Sequence, residues 1–150
     1  MLKKVFAIAL VTTALVVYGA YKLNPSVKVT VGAMPENVSP CEDKDYTLSM
    51  ISFKTDGDIV PGEPNGFNAN FNTNADGTLK EMDIEVYKSG YKLYTMKNKE
   101  DKTFQRGTEF DYRYQLTLPG FIPHIAVQLK MRMYDGDKKE LGCIKFDLNL

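Results

Sequence analysis

Beyond residue 45 the chain alternates apolar and polar side chains with a period of two. That period admits little except β-strands, each wet on one face. Over 109–118, Phe110, Tyr112, Tyr114, Leu116 and Leu118 fall on one side and Asp111, Arg113, Gln115 and Thr117 on the other. Over 79–87, Met82, Ile84 and Val86 oppose Glu81, Asp83 and Glu85; over 67–72, Phe67, Ala69 and Phe71 oppose Asn68, Asn70 and Asn72. The same rhythm carries Ile125, Val127, Leu129, Met131 and Met133, and then Ile144, Phe146, Leu148 and Leu150. In 46–54 the phase slips: Tyr46, Leu48 and Met50 share a face, Ile51 and Phe53 do not, and a bulge is expected there. A further short strand is expected over 91–96. Turn-forming clusters separate these segments at 56–58, 61–66, 74–77, 89–90, 118–123 and 134–140. No segment after residue 22 has the period of a long amphipathic helix. Seven short one-sided strands predict an all-β fold, a two-sheet antiparallel immunoglobulin-like β-sandwich.

The N-terminus is built differently. Lys3 and Lys4 precede an apolar run of 16 residues, Val5 to Ala20, with small residues at 19 and 20. A positive start, a short apolar stretch and a small residue at the cut make a secretory signal, so residues 1–19 are read as a signal peptide. The run is shorter than the roughly 20 residues that span a bilayer; an uncleaved anchor is the other reading, since Lys22 follows directly. Residues 20–40, with Val27, Val29 and Val31 alternating between prolines, form a leader or an edge strand, and 41–150 form the domain. Lys+Arg and Asp+Glu each number 19. Loss of Lys3 and Lys4 leaves a slightly acidic domain, which excludes nucleic acid as a partner.

Cysteine occurs twice, at 41 and 143. In a secreted chain two cysteines most simply make one disulfide, the alternative being two buried thiols. Asn37-Val38-Ser39 is a glycosylation sequon followed by Pro40.

The motifs that suggest chemistry are weak. Residues 72–83 half-match a calcium loop, but position one is uncharged and the flanks alternate like strands, so a hairpin turn at Asp76-Gly77 is expected instead. Glu81, Asp83 and Glu85 read as a solvated strand face. His124, the only histidine, reads as a loop residue at a strand entrance. No catalytic residue, metal site or glycine-rich phosphate loop is assigned. Two features remain. The inward positions are rich in Phe, Tyr and Met, which suits a coarse core or a cavity that adapts to an acyl chain. The loop "LTLPGFIPHI" carries Phe121 and Ile122, apolar groups that either meet a membrane or partner or fold back onto the core.

Five short stretches occur in order along the domain: "CEDKDYTLSMISF" from Cys41, Val60-Pro61-Gly62, "LKEMDIEV" from Leu79, "LPGF" at 118–121 and "LGCIK" at 141–145. Together they resemble the ML lipid-recognition domain family, and within it the ganglioside-activator members. The resemblance implies that Cys41 pairs with Cys143 and that the two sheets splay over an apolar cavity. The cavity would be lined by Phe53, Phe67, Phe71, Met82, Ile84, Val86, Phe110, Tyr112, Tyr114, Leu116, Val127, Leu129, Met131, Ile144 and Phe146. Its rim and membrane contact would be Tyr91, Leu118, Phe121 and Ile122. It further implies a non-enzyme with no cofactor beyond bound lipid (sterol, phospholipid or glycolipid). Such a protein touches membranes transiently, presents lipid to a hydrolase or receptor, and is secreted or lysosomal. The activator members carry additional disulfides and a long insertion where only 97–107 stands here. The alternative from another class is an extracellular interaction or adhesion module that binds no lipid.

Overall fold

The computed structural model describes residues 36–150; residues 1–19, read above as a signal peptide, and residues 20–35 lie outside the described residues. All eight elements among the described residues are strands: β1 (Glu36–Pro40), β2 (Leu48–Thr55), β3 (Pro64–Thr73), β4 (Gly77–Lys88), β5 (Tyr91–Phe104), β6 (Glu109–Thr117), β7 (Ala126–Tyr134) and β8 (Glu140–Asn149). They form a five-stranded sheet, β1-β8-β7-β4-β5, and a three-stranded sheet, β2-β3-β6, antiparallel throughout. The two-sheet sandwich is thus the one the alternation demands.

Local chemistry sets the connections. Ser89 and Gly90 both take positive φ, 49° and 82°, the two-residue turn that matches the twist of a hairpin, and they join β4 to β5. Between β7 and β8, Asp135 Oδ1 accepts the N–H groups of Asp137 and Lys139 at 2.9 Å each. The slip in β2 is a register shift between Met50 and Ser52.

Three expectations need correction. The strand expected over 91–96 runs on to Phe104, so most of 97–107 is ladder. An eighth strand, β1, pairs with β8 as an edge, which resolves 36–40 as strand. Asp76-Gly77 makes no hairpin: β3 and β4 belong to different sheets, and the chain crosses between them there. The polar side chains of that crossover serve the backbone. Asn74 Nδ2 donates to Tyr46 O at 2.8 Å, and Asp76 Oδ1 accepts the Arg106 N–H at 2.7 Å.

Cys41 and Cys143 are bonded, with Cα atoms 5.4 Å apart and a sequence separation of 102. The Cys41 N–H also donates to Cys143 O at 3.1 Å, continuing the β1–β8 pairing past the end of β1. Asn37 is exposed in β1 with φ 54°, and its Nδ2 donates to Asp147 Oδ2 at 3.1 Å.

Candidate functional site

The inner faces of the two sheets meet in one apolar cluster. Of the fifteen residues that the family resemblance implies for a cavity lining, all but Phe53 and Tyr114 lie in that buried cluster, and those two pack against it. Leu48, Ile59, Leu79, Phe104, Met133, Leu141 and Leu148 join them. The sheets approach most closely along β2, β8 and β1. There Phe53 of β2 meets Phe146 of β8 with ring centroids 4.7 Å apart, and Phe53 meets Phe67 at 5.3 Å.

On the opposite side, the edge strands β5 and β6 face each other; Phe104 meets Phe110 with ring centroids 5.2 Å apart, and beyond that pair the contacts between the strands are made by polar groups. The Tyr112 hydroxyl donates to Glu100 Oε1 at 2.7 Å, and the Tyr114 hydroxyl donates to Asn98 Oδ1 at 2.5 Å. Lys102 Nζ stands 4.5 Å from the Tyr112 ring centre. Burial first, then the Glu100 hydrogen bond and charge, push the Tyr112 phenol far above its ordinary range. Burial likewise raises Tyr114. Both therefore stay neutral donors. Sequence reasoning missed Asn98, Glu100 and Lys102, because three inward polar residues erase the alternation that identifies a strand. The signal available was the spacing itself: 94, 96, 98, 100, 102 and 104 share a face with the register pairs of Val86, Ile84 and Met82.

One end of the sandwich gathers the loops 56–63, 89–90 and 118–125. Two of the quoted motifs meet here, since the Gly62 N–H donates to Leu118 O at 2.7 Å. Tyr91 is 77% exposed, Phe121 71% and Leu93 45%. Tyr94 sets its ring edge-on to Phe121 at 5.6 Å. Leu118 and Ile122, expected at the rim, are instead buried in the core at 0% and 2% exposure. The loop therefore folds back at those two residues and projects Phe121 alone.

The carboxylates of β4 point outward as expected but are not solvated. Asp83 and Glu85 are buried, covered by long cationic side chains from the neighbouring strands. Glu85 Oε1 receives Lys92 Nζ at 2.5 Å, and Glu85 Oε2 receives Arg132 Nε at 3.2 Å and the Tyr87 hydroxyl at 2.8 Å. Arg132 also reaches Glu140 Oε2 at 2.8 Å. Burial alone would raise Glu85, but the bonds from Lys92, Tyr87 and Arg132 outweigh it and hold the carboxyl below its usual range. Asp83 pairs with Lys97 at 3.5 Å, and burial raises it. Such a ladder of paired charges is a structural face: every cation named here is already engaged. His124 is exposed in the 118–125 loop.

The family model of the ML domain matches residues 36–150. No curated protein matches the chain. Among solved structures, a Niemann-Pick type C2 protein from Japanese carpenter ant superposes with a TM-score of 0.57 at 9% identity, over 73% of this chain and 96% of that one. Chicken MD-1 complexed with lipid IVa gives 0.50 at 14% identity, over 75% and 87%. The C-terminal domain of wzt gives 0.54 at 13% identity, over 76% and 77%. At these identities the superpositions establish the shared sandwich. The family match spans every strand described above, and the chain belongs to the ML-domain family.

Proposed function

We propose that the protein is a lipid carrier that holds acyl or sterol tails between its two sheets and exchanges them at the aromatic end. The observation that carries this is the large buried apolar cluster between the sheets of an ML-domain sandwich, with the exposed Tyr91, Leu93 and Phe121 at one end. Transfer of each tail methylene out of water is worth about 0.8 kcal/mol, so a tail of ten or more is retained without a charged clamp. Large exposed aromatics beside an apolar interior suit brief contact with a membrane surface. The lipid complex of the MD-1 neighbour supports a lipid ligand. Sterol, phospholipid and glycolipid all fit the chemistry. Presentation of a glycolipid to a hydrolase, as in the ganglioside-activator members, or of lipid to a receptor is the finer form of this reading. It places the protein outside the cell or in the lysosomal or endosomal lumen, free or tethered by its N-terminal segment, and as a non-enzyme.

A second reading, a sandwich that displays its loops to a protein partner and binds no lipid, draws on the close Phe53–Phe146 contact between the sheets. Native mass spectrometry of the purified protein, with transfer of fluorescent phospholipid between vesicles, decides between them. Co-purifying lipid and saturable transfer support the carrier. Absence of both, with correctly folded protein, overturns it in favour of the second reading.

A further inference from the structure

The three-stranded sheet carries a polar groove of about 640 Å³ on the side away from the core, within the usual size of small-ligand sites. Two ladder rows build it. In one row, register places Lys54 of β2, Asn68 of β3 and Arg113 of β6 side by side. In the next, Asp56 lies beside Gly66, with its N–H donating to Gly66 O at 2.8 Å, and Gly66 pairs with Gln115. Gly66 is what keeps the floor open. A Cβ there would sit 2.1 Å from Asp56 Oδ2, so only glycine lets the Asp56 carboxylate lie across the strand.

The polar groups of this groove are not spent on each other. The Lys54 side chain has neither ion pair nor hydrogen bond within the described residues. Among the described residues the Arg113 side chain, 79% exposed, reaches only Asp111, at 4.0 Å. Asn68 Oδ1 has no hydrogen-bond partner among the described residues. This is the opposite of the outer face of the larger sheet, where each of Lys92, Lys97, Arg132 and Lys138 meets a carboxylate.

We infer that this groove binds an acidic sugar. Strands about 4.8 Å apart place the Lys54 and Arg113 backbones about 10 Å apart, with room for one carboxylate between their charged ends. Asp56 stands two residues, about 7 Å, further along the strand, the span of a six-membered ring with its substituents. There Asp56 accepts, and Gln115 both donates and accepts, as sugar hydroxyls require. Guanidinium and carboxamide groups supply the planar, two-pronged hydrogen bonds that fix a carboxylate or a vicinal diol. The site is independent of the lipid reading, since it lies on the opposite face of the sheet from the core.

The test is titration of the folded protein with glucuronate, with glucose and inorganic phosphate as comparators, followed by amide chemical shifts and Arg Nε resonances. Glucuronate is expected to shift Gly66, Asn68 and Arg113 at millimolar concentration, and glucose to leave them in place. Arg113→Gln and Lys54→Gln, both surface changes, are each expected to weaken binding about tenfold or more, the scale of one charge-assisted hydrogen bond. No shift with glucuronate, equal affinity in the two variants, or phosphate binding as tightly as glucuronate would each overturn the inference, the last by reducing the groove to a simple anion site. Attaching the acid to a glycolipid head group in a vesicle separates the two sources. Capture of the vesicle that Arg113→Gln abolishes, while Phe121→Ser retains it, identifies recognition of the sugar on its lipid; capture that survives Arg113→Gln refutes it.

Discussion

Breaking the Cys41–Cys143 bond perturbs the unfolded chain far more than the folded one. The bridge closes a loop of 102 positions. In the chain-entropy account a loop of that length is worth about 4.7 kcal/mol at 25 °C, the upper end for a single crosslink. For a domain of about 115 residues, the unfolding entropy near 60 °C is about 0.24 kcal/mol per kelvin, so Tm should fall by roughly 20 °C. The folded state loses little in return, because β1 stays paired to β8 and the Cys41 N–H still reaches Cys143 O. The assay is urea unfolding followed by circular dichroism, on the oxidised protein, the reduced protein and Cys41→Ala/Cys143→Ala. The reduced protein controls for packing, since Cys143 is buried. Both altered forms should lose 3–5 kcal/mol and show a larger m-value, as an uncrosslinked unfolded chain exposes more surface. A loss below about 1 kcal/mol with an unchanged m-value would refute the argument, and would mean that the sandwich already restricts its unfolded ensemble.

Three further outcomes follow from single side chains. Phe121→Ser and Tyr91→Ser should slow lipid transfer between vesicles while moving stability by no more than about 0.5 kcal/mol, because both groups stand in solvent; equal transfer rates would remove them from the membrane contact. Gly142→Ala should destabilise by about 1–3 kcal/mol in thermal melts, since the new Cβ would lie 2.9 Å from Met133 Cε and 3.0 Å from the Leu48 carbonyl, which is backbone; a neutral change would show that β8 can slide. Asp83 and Glu85 should respond to acid in opposite senses. Asp83, raised by burial, is disfavoured as an anion in the fold, so Asp83→Asn should stabilise at pH 7 and lose that gain as pH falls through the raised folded pKa towards the ordinary 3.8. Glu85, held low by its three donors against burial, contributes stability above the ordinary 4.5 that disappears as pH falls through its depressed folded pKa, and Glu85→Gln should flatten that acid limb. Parallel pH curves for wild type and either variant would contradict the assigned cause.

Where a strand has one dry and one wet face, the sequence announced it. Phe110, Tyr112, Leu116 and Val127 to Met133 land in the core in the expected phase, and the irregular β2 declares its bulge through Ile51 and Phe53. The failures have one physical root: alternation describes the environment of a face, not its position. Asn98, Glu100 and Lys102 point inward, yet polar groups there are tolerated because Tyr112 and Tyr114 bring hydroxyls across from the other sheet. Asp83 and Glu85 point outward, yet are buried, because cationic side chains from adjacent strands lie over them. Asp76-Gly77 has hairpin chemistry, but a turn sequence does not say which sheet the next strand joins. The polar groove was invisible for a related reason. Lys54, Asp56, Gly66, Asn68 and Arg113 are unremarkable in three separate stretches of sequence, and only the β2-β3-β6 register makes them neighbours.

A lipid tail held between the sheets would lie beside the methionines of the inner face, which report on that space directly. Met82 and Met131 are wholly buried, on adjacent strands of the larger sheet. The decisive measurement is the relaxation of their labelled methyl groups when the protein takes up a phospholipid carrying a nitroxide midway along one chain. Strong broadening of both methyls is the result expected for a tail held inside. Bound lipid that broadens only resonances of Tyr91 and Phe121, leaving Met82 and Met131 sharp, would contradict it.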